Sequence, residues 1–179
     1  MHKRLMKSLL TAVSVSLVLA SQSIAAEYDH TVEAKNISFS WKIDGENLAG
    51  QVSAKTEGWV GVGFNPSSKM KDANYILGYV KDGKVKIIDD FGVTATAHKS
   101  DTKIGGTDDV TVVGGTEEGG MTTIQFVIPL NSGDDKDGVI DPNADTVLLL
   151  AYGAGRDSFR SKHKYREVMT VNLSTGEKK

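Results

Sequence analysis

The sequence predicts an all-β protein, an antiparallel β-sandwich. Short segments in which apolar and polar residues alternate follow one another along the chain, as in strands that bury one face. Glycine, aspartate and asparagine stand between these segments, where tight turns require them. Outside the N-terminal region, no ten-residue stretch has the periodicity of a helix. Regular short strands without helices favour two packed antiparallel sheets.

The first clear strand is "ISFSWKI", residues 37–43, in which every second residue is apolar. Asp44-Gly45 then turns the chain into a returning strand, because an Asp-Gly pair readily adopts the backbone angles of a hairpin turn. The same alternation and the same turn residues recur towards the C-terminus. The strands predicted in this way are 37–43, 48–54, 59–64, 75–80, 85–91, 110–113, 121–130, 146–152 and 168–173.

Two segments depart from this pattern. Residues 146–152 read "TVLLLAY", a continuous apolar run, which predicts a strand that is covered on both faces. Residues 92–109 are mostly polar, and we predict that they form an irregular connection.

The N-terminus has the pattern of a secretory signal peptide. Three basic residues stand within residues 1–7, residues 9–20 are apolar, and Ser23-Ile24-Ala25 offers small residues for cleavage. We therefore predict a signal peptide over 1–25 and a single domain over 26–179, exported to the periplasm or the extracellular space. The alternative is an N-terminal membrane anchor, but the apolar stretch is short for a membrane span. We expect no membrane insertion after the signal is removed.

Composition excludes several classes of function. Removal of the three basic residues of the signal lowers the formal charge from −2 by three, to −5. A mildly acidic domain is a poor candidate for nucleic-acid binding, which depends on basic surfaces. The chain contains no cysteine, so it can form no disulfide, thiolate metal site or covalent haem link.

Met70 is a methionine in a polar segment, "NPSSKMKDAN". Methionine normally fills apolar cores, as the pattern predicts for Met169, but nothing apolar adjoins Met70 in sequence. A thioether is also a soft, neutral ligand, and together with an opposing histidine it can hold haem iron. The predicted domain contains three histidines. We interpret His30 and His98 as surface residues.

His163 lies in the basic segment "GRDSFRSKHKYRE". If this segment is extended, Ser161, His163 and Tyr165 share one face. Taken by itself, the segment is most simply a solvated basic loop. The cations that surround the histidine are Arg156, Arg160, Lys162, Lys164 and Arg166.

The segment "DDKDGVID", residues 134–141, is similar to part of a calcium-binding loop. Asp135, Asp137 and Gly138 match the third, fifth and sixth positions of such a loop. Gly133 and Ala144 stand at its first and twelfth positions, however, so both end ligands are missing. We therefore interpret this segment as a solvated hairpin loop.

The order and spacing of several segments resemble the DOMON family, the dopamine β-monooxygenase N-terminal type of domain. The most specific segment is "GWVGVGFNPSSKMKDANYILGYV" (58–80), followed by "IQFVIPL" (124–130), "LLLAYG" (148–153) and His163. The resemblance covers about residues 39–173 and implies an immunoglobulin-like fold. It is strongest to the family's b-type cytochromes, such as the haem domain of cellobiose dehydrogenase, which hold haem between a methionine and a histidine.

Transferred to this chain, the resemblance implies that Met70 and His163 are the axial ligands of a non-covalent haem b. The protein would then be a single-electron carrier with a redox partner protein, and it would not be an enzyme. The positive side chains predicted to pair with the haem propionates are Arg156, Arg160, Lys162 and Lys164. The aromatic residues predicted to line the pocket are Trp59, Phe64, Tyr75 and Tyr152, since each lies on a strand beside a ligand loop.

The alternative function is a haem-free module that binds a carbohydrate or another small ligand. Such a module would use exposed aromatic side chains, for which Trp41 and Trp59 are the candidates. An enzyme is the third possibility, but no pair of acidic residues stands at a spacing that indicates catalysis.

Overall fold

The computed structural model describes residues 27–179. The predicted signal peptide, residues 1–25, lies outside the described residues. Within residues 27–179, no helix is long and apolar enough to cross a membrane.

Eleven strands and one short 3₁₀ turn make up the regular structure of the described residues. The 3₁₀ turn spans Asp101–Lys103. The strands are β1 (His30–Ala34), β2 (Ile37–Asp44), β3 (Asn47–Ala54), β4 (Val60–Phe64), β5 (Asn74–Lys81), β6 (Lys84–Thr94), β7 (Ala97–Ser100), β8 (Thr111–Glu118), β9 (Met121–Pro129), β10 (Asp145–Gly153) and β11 (His163–Asn172).

The strands form two antiparallel sheets that pack face to face. One sheet has five strands in the order β1-β2-β3-β9-β8, and the other has six in the order β11-β10-β4-β5-β6-β7. The predicted immunoglobulin-like antiparallel β-sandwich is therefore confirmed. Below, the inner face of the six-stranded sheet is the one that packs on the five-stranded sheet, and the outer face is the opposite one.

Alternate residues of the strands fill the space between the two sheets. Each strand sends every second side chain inward, so the alternation seen in the sequence becomes a single core. The largest fully buried side chains of this core are Trp41, Phe39, Phe64, Phe126, Leu48, Ile76, Ile124, Ile128, Leu148, Leu150 and Leu173.

The prediction that residues 92–109 are irregular is wrong for their first part. β6 continues to Thr94, and β7 forms an edge strand at residues 97–100, where His98 pairs with Gly92. An edge strand needs a partner on only one side and can expose polar side chains, so its sequence lacks an apolar face that would reveal it. The strand β1 was missed for the same reason, since it too lies at a sheet edge.

The apolar strand β10 is covered on both faces, though unequally. Leu148 and Leu150 are fully buried on the inner face, whereas Leu149 and Ala151 are half-buried on the outer face. The five-stranded sheet covers the inner face completely. Only loops cover the outer face, and this difference leads to the candidate site.

Candidate functional site

The outer face of the six-stranded sheet carries a second apolar cluster, separate from the core. Alternate residues of β5 and β10 point outward and supply half of it, and the rest come from β6 and from the flanking loops. We call this set the outer cluster. Its buried members are Trp59, Ala73, Tyr75 and Leu77, and its half-buried members are Met70, Tyr79, Ile88, Leu149, Ala151 and Phe159.

Two glycines of β4 lie at the centre of this face. Gly61 and Gly63 alternate with the inward residues of the strand and so occupy outward positions. A Cβ atom on Gly63 would lie 2.5 Å from the Tyr75 ring, and one on Gly61 would lie 3.1 Å from Leu77 Cγ. The absence of side chains therefore allows large groups to approach the strand closely.

Met70 lies in the loop between β4 and β5, and this loop folds over the outer face. A tight turn holds the loop, with Lys71 N–H donating to the Ser68 carbonyl at 2.9 Å. The backbone of Met70 lies directly against Gly92 of β6, where a Cβ atom would overlap the Met70 carbonyl oxygen. Met70 is half-buried and packs on the outer cluster. This packing explains a methionine in a polar sequence, because its apolar contacts come from distant strands.

The loop between β10 and β11, residues 154–162, also lies on the outer cluster. The Phe159 ring packs on Tyr79 with a centroid separation of 4.7 Å. The indole N–H of Trp59 lies 3.1 Å from the Ser161 carbonyl oxygen and 3.0 Å from Ser161 Oγ, both of which can accept its hydrogen bond. These contacts attach the loop to the face immediately before His163.

His163 is the first residue of β11 and lies beside an irregularity in the β10–β11 pairing. Tyr165 pairs with Tyr152, but His163 pairs with Gly153, so one extra residue stands between them on β11. The expectation that Ser161, His163 and Tyr165 share one face is therefore wrong, because a β-bulge breaks the alternation. Tyr165 stacks on Tyr152 at the core, at 5.6 Å between centroids. His163 is aligned with Gly153, whose outward side holds the Trp59 indole, and its side chain is exposed.

Met70 and His163 belong to loops at opposite ends of the outer face. The loop that contains Met70 follows the C-terminal end of β4. His163 lies at the other end of this strand, because it pairs with Gly153, and Gly153 N–H donates to the carbonyl of Trp59, the residue before β4. The four-residue offset from Trp59 to Gly63 corresponds to about 13 Å of strand. Met70 and Phe159 nevertheless pack on the same cluster, so the two loops converge over it.

The four cations predicted to pair with propionates lie in or next to the 154–162 loop, and all four are exposed. None of the four takes part in an ion pair within residues 27–179, where the recorded pairs involve Lys71, His98 and Lys179. Their charges are therefore available to an anionic ligand. The four residues are Arg156, Arg160, Lys162 and Lys164.

The structure divides the predicted aromatic residues between the two faces. Trp59 and Tyr75 belong to the outer cluster, next to Met70 and the 154–162 loop. Phe64 and Tyr152 lie on the inner face and are 2% and 3% exposed in the core. These two residues therefore do not line the surface on which Met70 packs. The position of a residue next to a ligand loop in the sequence does not show on which face of the sheet its side chain lies, because adjacent strand residues point in opposite directions.

Trp41 and Trp59 are not exposed aromatic residues, contrary to the expectation for a carbohydrate-binding module. Trp41 is completely buried and donates a hydrogen bond from Nε1 to the Leu173 carbonyl at 2.8 Å. Trp59 is 6% exposed.

Of the other two histidines of the described chain, His98 shares the outer face with Met70. Its Nδ1 atom lies 2.5 Å from Asp90 Oδ2, and its ring lies 5.5 Å from that of Tyr75. His30 lies elsewhere, against Trp41 and within hydrogen-bond distance of the Ser174 carbonyl.

The sequence analysis did not identify several members of the outer cluster. Their signal was present in the two strands "YILGYV" and "TVLLLAY", which are apolar on both faces and so require cover on both. Phe159 had no such signal, because a single aromatic residue in a polar loop does not reveal its partner. The missed residues are Ala73, Leu77, Tyr79, Ile88, Leu149, Ala151 and Phe159.

Comparison with known structures shows the same fold in two fungal proteins. The crystal structure of the cytochrome b domain of pyranose dehydrogenase from Coprinopsis cinerea is similar with a TM-score of 0.59 and 12% identity, over 78% of each chain. The cytochrome domain of Myriococcum thermophilum cellobiose dehydrogenase is similar with a TM-score of 0.57 and 11% identity, over 78% of this chain and 76% of the other.

Sequence comparison places the chain in a family. A search among curated proteins finds no match. The profile of the DOMON domain matches residues 33–153, which include β2 to β10, the Met70 loop and most of the outer cluster. The chain therefore belongs to the DOMON domain family.

Proposed function

We propose that the protein is an exported b-type cytochrome domain that binds haem b non-covalently over the outer cluster and transfers single electrons. The observation that carries this proposal is the convergence of two loops on one apolar face. One loop contains Met70 and the other leads directly to His163. In this proposal Met70 and His163 would hold the iron.

The residues at this face fit such a group in their chemistry. Thioether and imidazole are suitable ligands for haem iron. The outer cluster offers apolar surface to a porphyrin, and the glycines of β4 let Tyr75 and Leu77 lie close to the sheet beneath it. The exposed cations Arg156, Arg160, Lys162 and Lys164 can form charge-assisted hydrogen bonds with the propionates. Trp59 and Tyr75 would contact the group from the sheet, and Trp59 also orients the backbone before His163.

Bound haem would supply reversible one-electron chemistry. With a protein ligand on each side of the iron, no position remains for a substrate, so we propose electron transfer without catalysis at this site. Met70 would favour the reduced state as a soft ligand, and the loops would exclude water from the apolar face. One redox partner protein would then donate the electron and another would accept it.

Two further lines of support are independent of the geometry. The structures compared above are, by their titles, cytochrome domains of dehydrogenases, and they share the fold of this chain. The signal pattern of residues 1–25 supports export to the periplasm or the extracellular space. Haem-free binding of a carbohydrate remains the alternative outcome of the test, although the burial of Trp41 and Trp59 removes its two predicted aromatic contacts.

The test is the visible spectrum of the protein produced with adequate haem, together with histidine variants. We expect a Soret band, and sharp α and β bands after reduction, from a pigment that acid acetone extracts because no cysteine holds it. His163→Ala should abolish stable haem binding. A colourless protein that does not take up added haemin would contradict the proposal and favour the haem-free module.

His98→Ala is the matched control, because His98 lies on the same face. It should leave the reduced spectrum unchanged, as should His30→Ala. Haem loss from the His98 variant, with the His163 variant still coloured, would transfer the ligand role to His98.

A further inference from the structure

Three buried aspartates meet at one end of the sandwich, on the inner side of the six-stranded sheet. Asp89 comes from β6, Asp101 from the 3₁₀ turn, and Asp137 from the loop between β9 and β10. They are 3%, 0% and 6% exposed. Each offers a carboxylate oxygen, and these three oxygens lie within 4.8 Å of one another. We call these residues the aspartate cluster.

Most of the inward oxygens of the aspartate cluster have no hydrogen-bond partner. Both oxygens of Asp101, Oδ1 of Asp89 and Oδ2 of Asp137 are buried and unpaired. Within residues 27–179, no lysine, arginine or histidine forms an ion pair with any of the three. Buried, unpaired carboxylates are costly unless a cation compensates them.

A neutral oxygen completes the arrangement. Asn74, 5% exposed, donates a hydrogen bond from Nδ2 to Asp137 Oδ1 at 3.0 Å, and its own Oδ1 is buried without a partner. The Asn74 side chain is thus directed at the cluster and carries an unpaired amide oxygen. Such an oxygen is an ordinary ligand of a hard cation.

The surrounding chain holds the cluster in place. Asp109 N–H donates to the second oxygen of Asp89 at 3.1 Å, and backbone hydrogen bonds from Ile104 and Gly106 to the Asp101 carbonyl fix the 3₁₀ turn. Asp109 and Asp134 form a second acidic group with Asp137 nearer the surface. A groove of about 520 Å³ opens beside them, lined by Ile104, Gly105, Thr107 and residues 132–136.

We propose that the aspartate cluster, with the Asn74 amide oxygen, binds one calcium ion. All the available ligands are oxygens, which excludes the softer metals that prefer histidine or cysteine. The ligands come from four separate segments, and Ca²⁺ accepts flexible oxygen sets more readily than Mg²⁺, which demands near-ideal octahedral geometry. The site differs from the loop suggested by residues 134–141, since only Asp137 of that segment belongs to it. Because Asp137 is buried, the interpretation of this segment as a solvated loop is wrong for that residue.

Burial, and after it the neighbouring aspartates, raise the pKa of Asp89 to about 8 and that of Asp101 to about 7. Burial also raises the pKa of Asp137 to about 6. A divalent cation would offset both causes at once.

The test is calorimetric titration of chelator-treated full-length protein with calcium chloride, and thermal unfolding with and without the ion. We expect one ion per chain and a higher unfolding temperature with calcium, because the ion binds only the folded state. Asp101→Asn should weaken calcium binding at least tenfold and remove the thermal shift. Without calcium this variant should remain folded, because it removes a buried charge and keeps the shape of the side chain.

Asp135→Asn is the matched control, since Asp135 is an exposed acid of the same loop outside the cluster. It changes the charge equally and should bind calcium like the unaltered protein. Absence of calcium binding by the unaltered protein at millimolar concentration would overturn the proposal, as would unchanged binding by the Asp101 variant. Equal affinity for magnesium chloride would overturn the choice of ion. The outcome is independent of haem, which lies on the opposite face of the sheet in the proposed function.

Discussion

The residue types at positions 70 and 92 are explained by contacts with residues that are distant in the sequence. Met70 has polar neighbours in the sequence but apolar neighbours in the fold, because the β4–β5 loop places it on the outer cluster. Gly92 is a strand residue without a side chain, and the Met70 backbone occupies the space that a side chain would need. The absence of a side chain at Gly92 therefore allows the Met70 loop to lie against β6.

Met70→Ala should leave the fold intact and alter the haem. A half-buried loop side chain contributes little to stability, so we expect the free energy of unfolding to fall by less than about 1 kcal/mol. The reduction potential should fall, or the haem should bind less tightly, because the thioether favours the reduced iron. Circular dichroism and a potentiometric titration measure the two effects. Unfolding of the variant with unchanged haem spectra would show that Met70 is only a packing residue.

Gly92→Ala should displace the Met70 loop. The added Cβ overlaps a backbone oxygen, which cannot rotate away as a side chain could, so we expect a loss of about 1–3 kcal/mol in unfolding free energy. Gly114→Ala is the control, since its Cβ would meet only Gln125 Oε1, at 3.3 Å. Denaturant unfolding of both variants compares them, and equal stability of the two would contradict the close contact.

At the scale of elements, the outer face depends on two loops and one irregular strand pair. The β4–β5 loop and the 154–162 loop begin at opposite ends of the face and cover the same cluster. The bulge at the start of β11 aligns His163 with Gly153 while Tyr165 remains at the core. One extra residue thus puts His163 and Tyr165, which stand two positions apart, on opposite faces of the sheet.

The positive charges of the second loop should hold the propionates in a salt-dependent manner. We expect Lys162→Gln together with Lys164→Gln to increase the rate of haem loss at low ionic strength, with a smaller difference at high salt, because exposed charges are screened. Transfer of haem to an acceptor protein, followed by absorbance, measures the rate. Lys81→Gln with Lys84→Gln removes the same charge from the β5–β6 hairpin and should have little effect. Equal rates for both double variants would argue against a specific role of the loop cations.

At the scale of the whole molecule, the six-stranded sheet supports two kinds of site on its two faces. Its outer face carries the apolar cluster under the loops, and its inner face carries the core and, at one end, the aspartate cluster. Burial of the aspartates between the sheets links the stability of the entire sandwich to pH.

Chelator-treated, haem-free protein should lose stability as the pH rises. The pKa values of Asp89 and Asp101 are raised in the folded state to about 8 and about 7, so the folded protein binds more protons than the unfolded chain between about pH 4 and those values. This contribution to stability is fully present below about pH 4, falls as the pH rises, and is lost once the pH has passed 7 and 8. Urea unfolding at pH 5 and pH 8 measures the difference. A metal-free protein that is more stable at pH 8 would contradict the buried, uncompensated state of the cluster.

The local sequence was sufficient for the fold class and for most strands. Alternation in segments such as 37–43 reports which residues point inward, and turns such as Asp44-Gly45 report where the chain reverses. The edge strands β1 and β7 were missed because polar edges carry no comparable signal. Met70 and His163 were predicted as a pair from the family resemblance, and that assignment stays a prediction.

The tertiary structure alone decided which residues share a face and which distant segments meet. Periodicity is a local property: it puts Trp59 and Phe64 on opposite faces of one strand, but it does not show which distant segments cover each face. Asp89, Asp101 and Asp137 each follow ordinary turn or strand patterns in the sequence. They become a buried cluster only because sheet packing brings three separate segments to one end of the sandwich, where water is excluded and their charges interact.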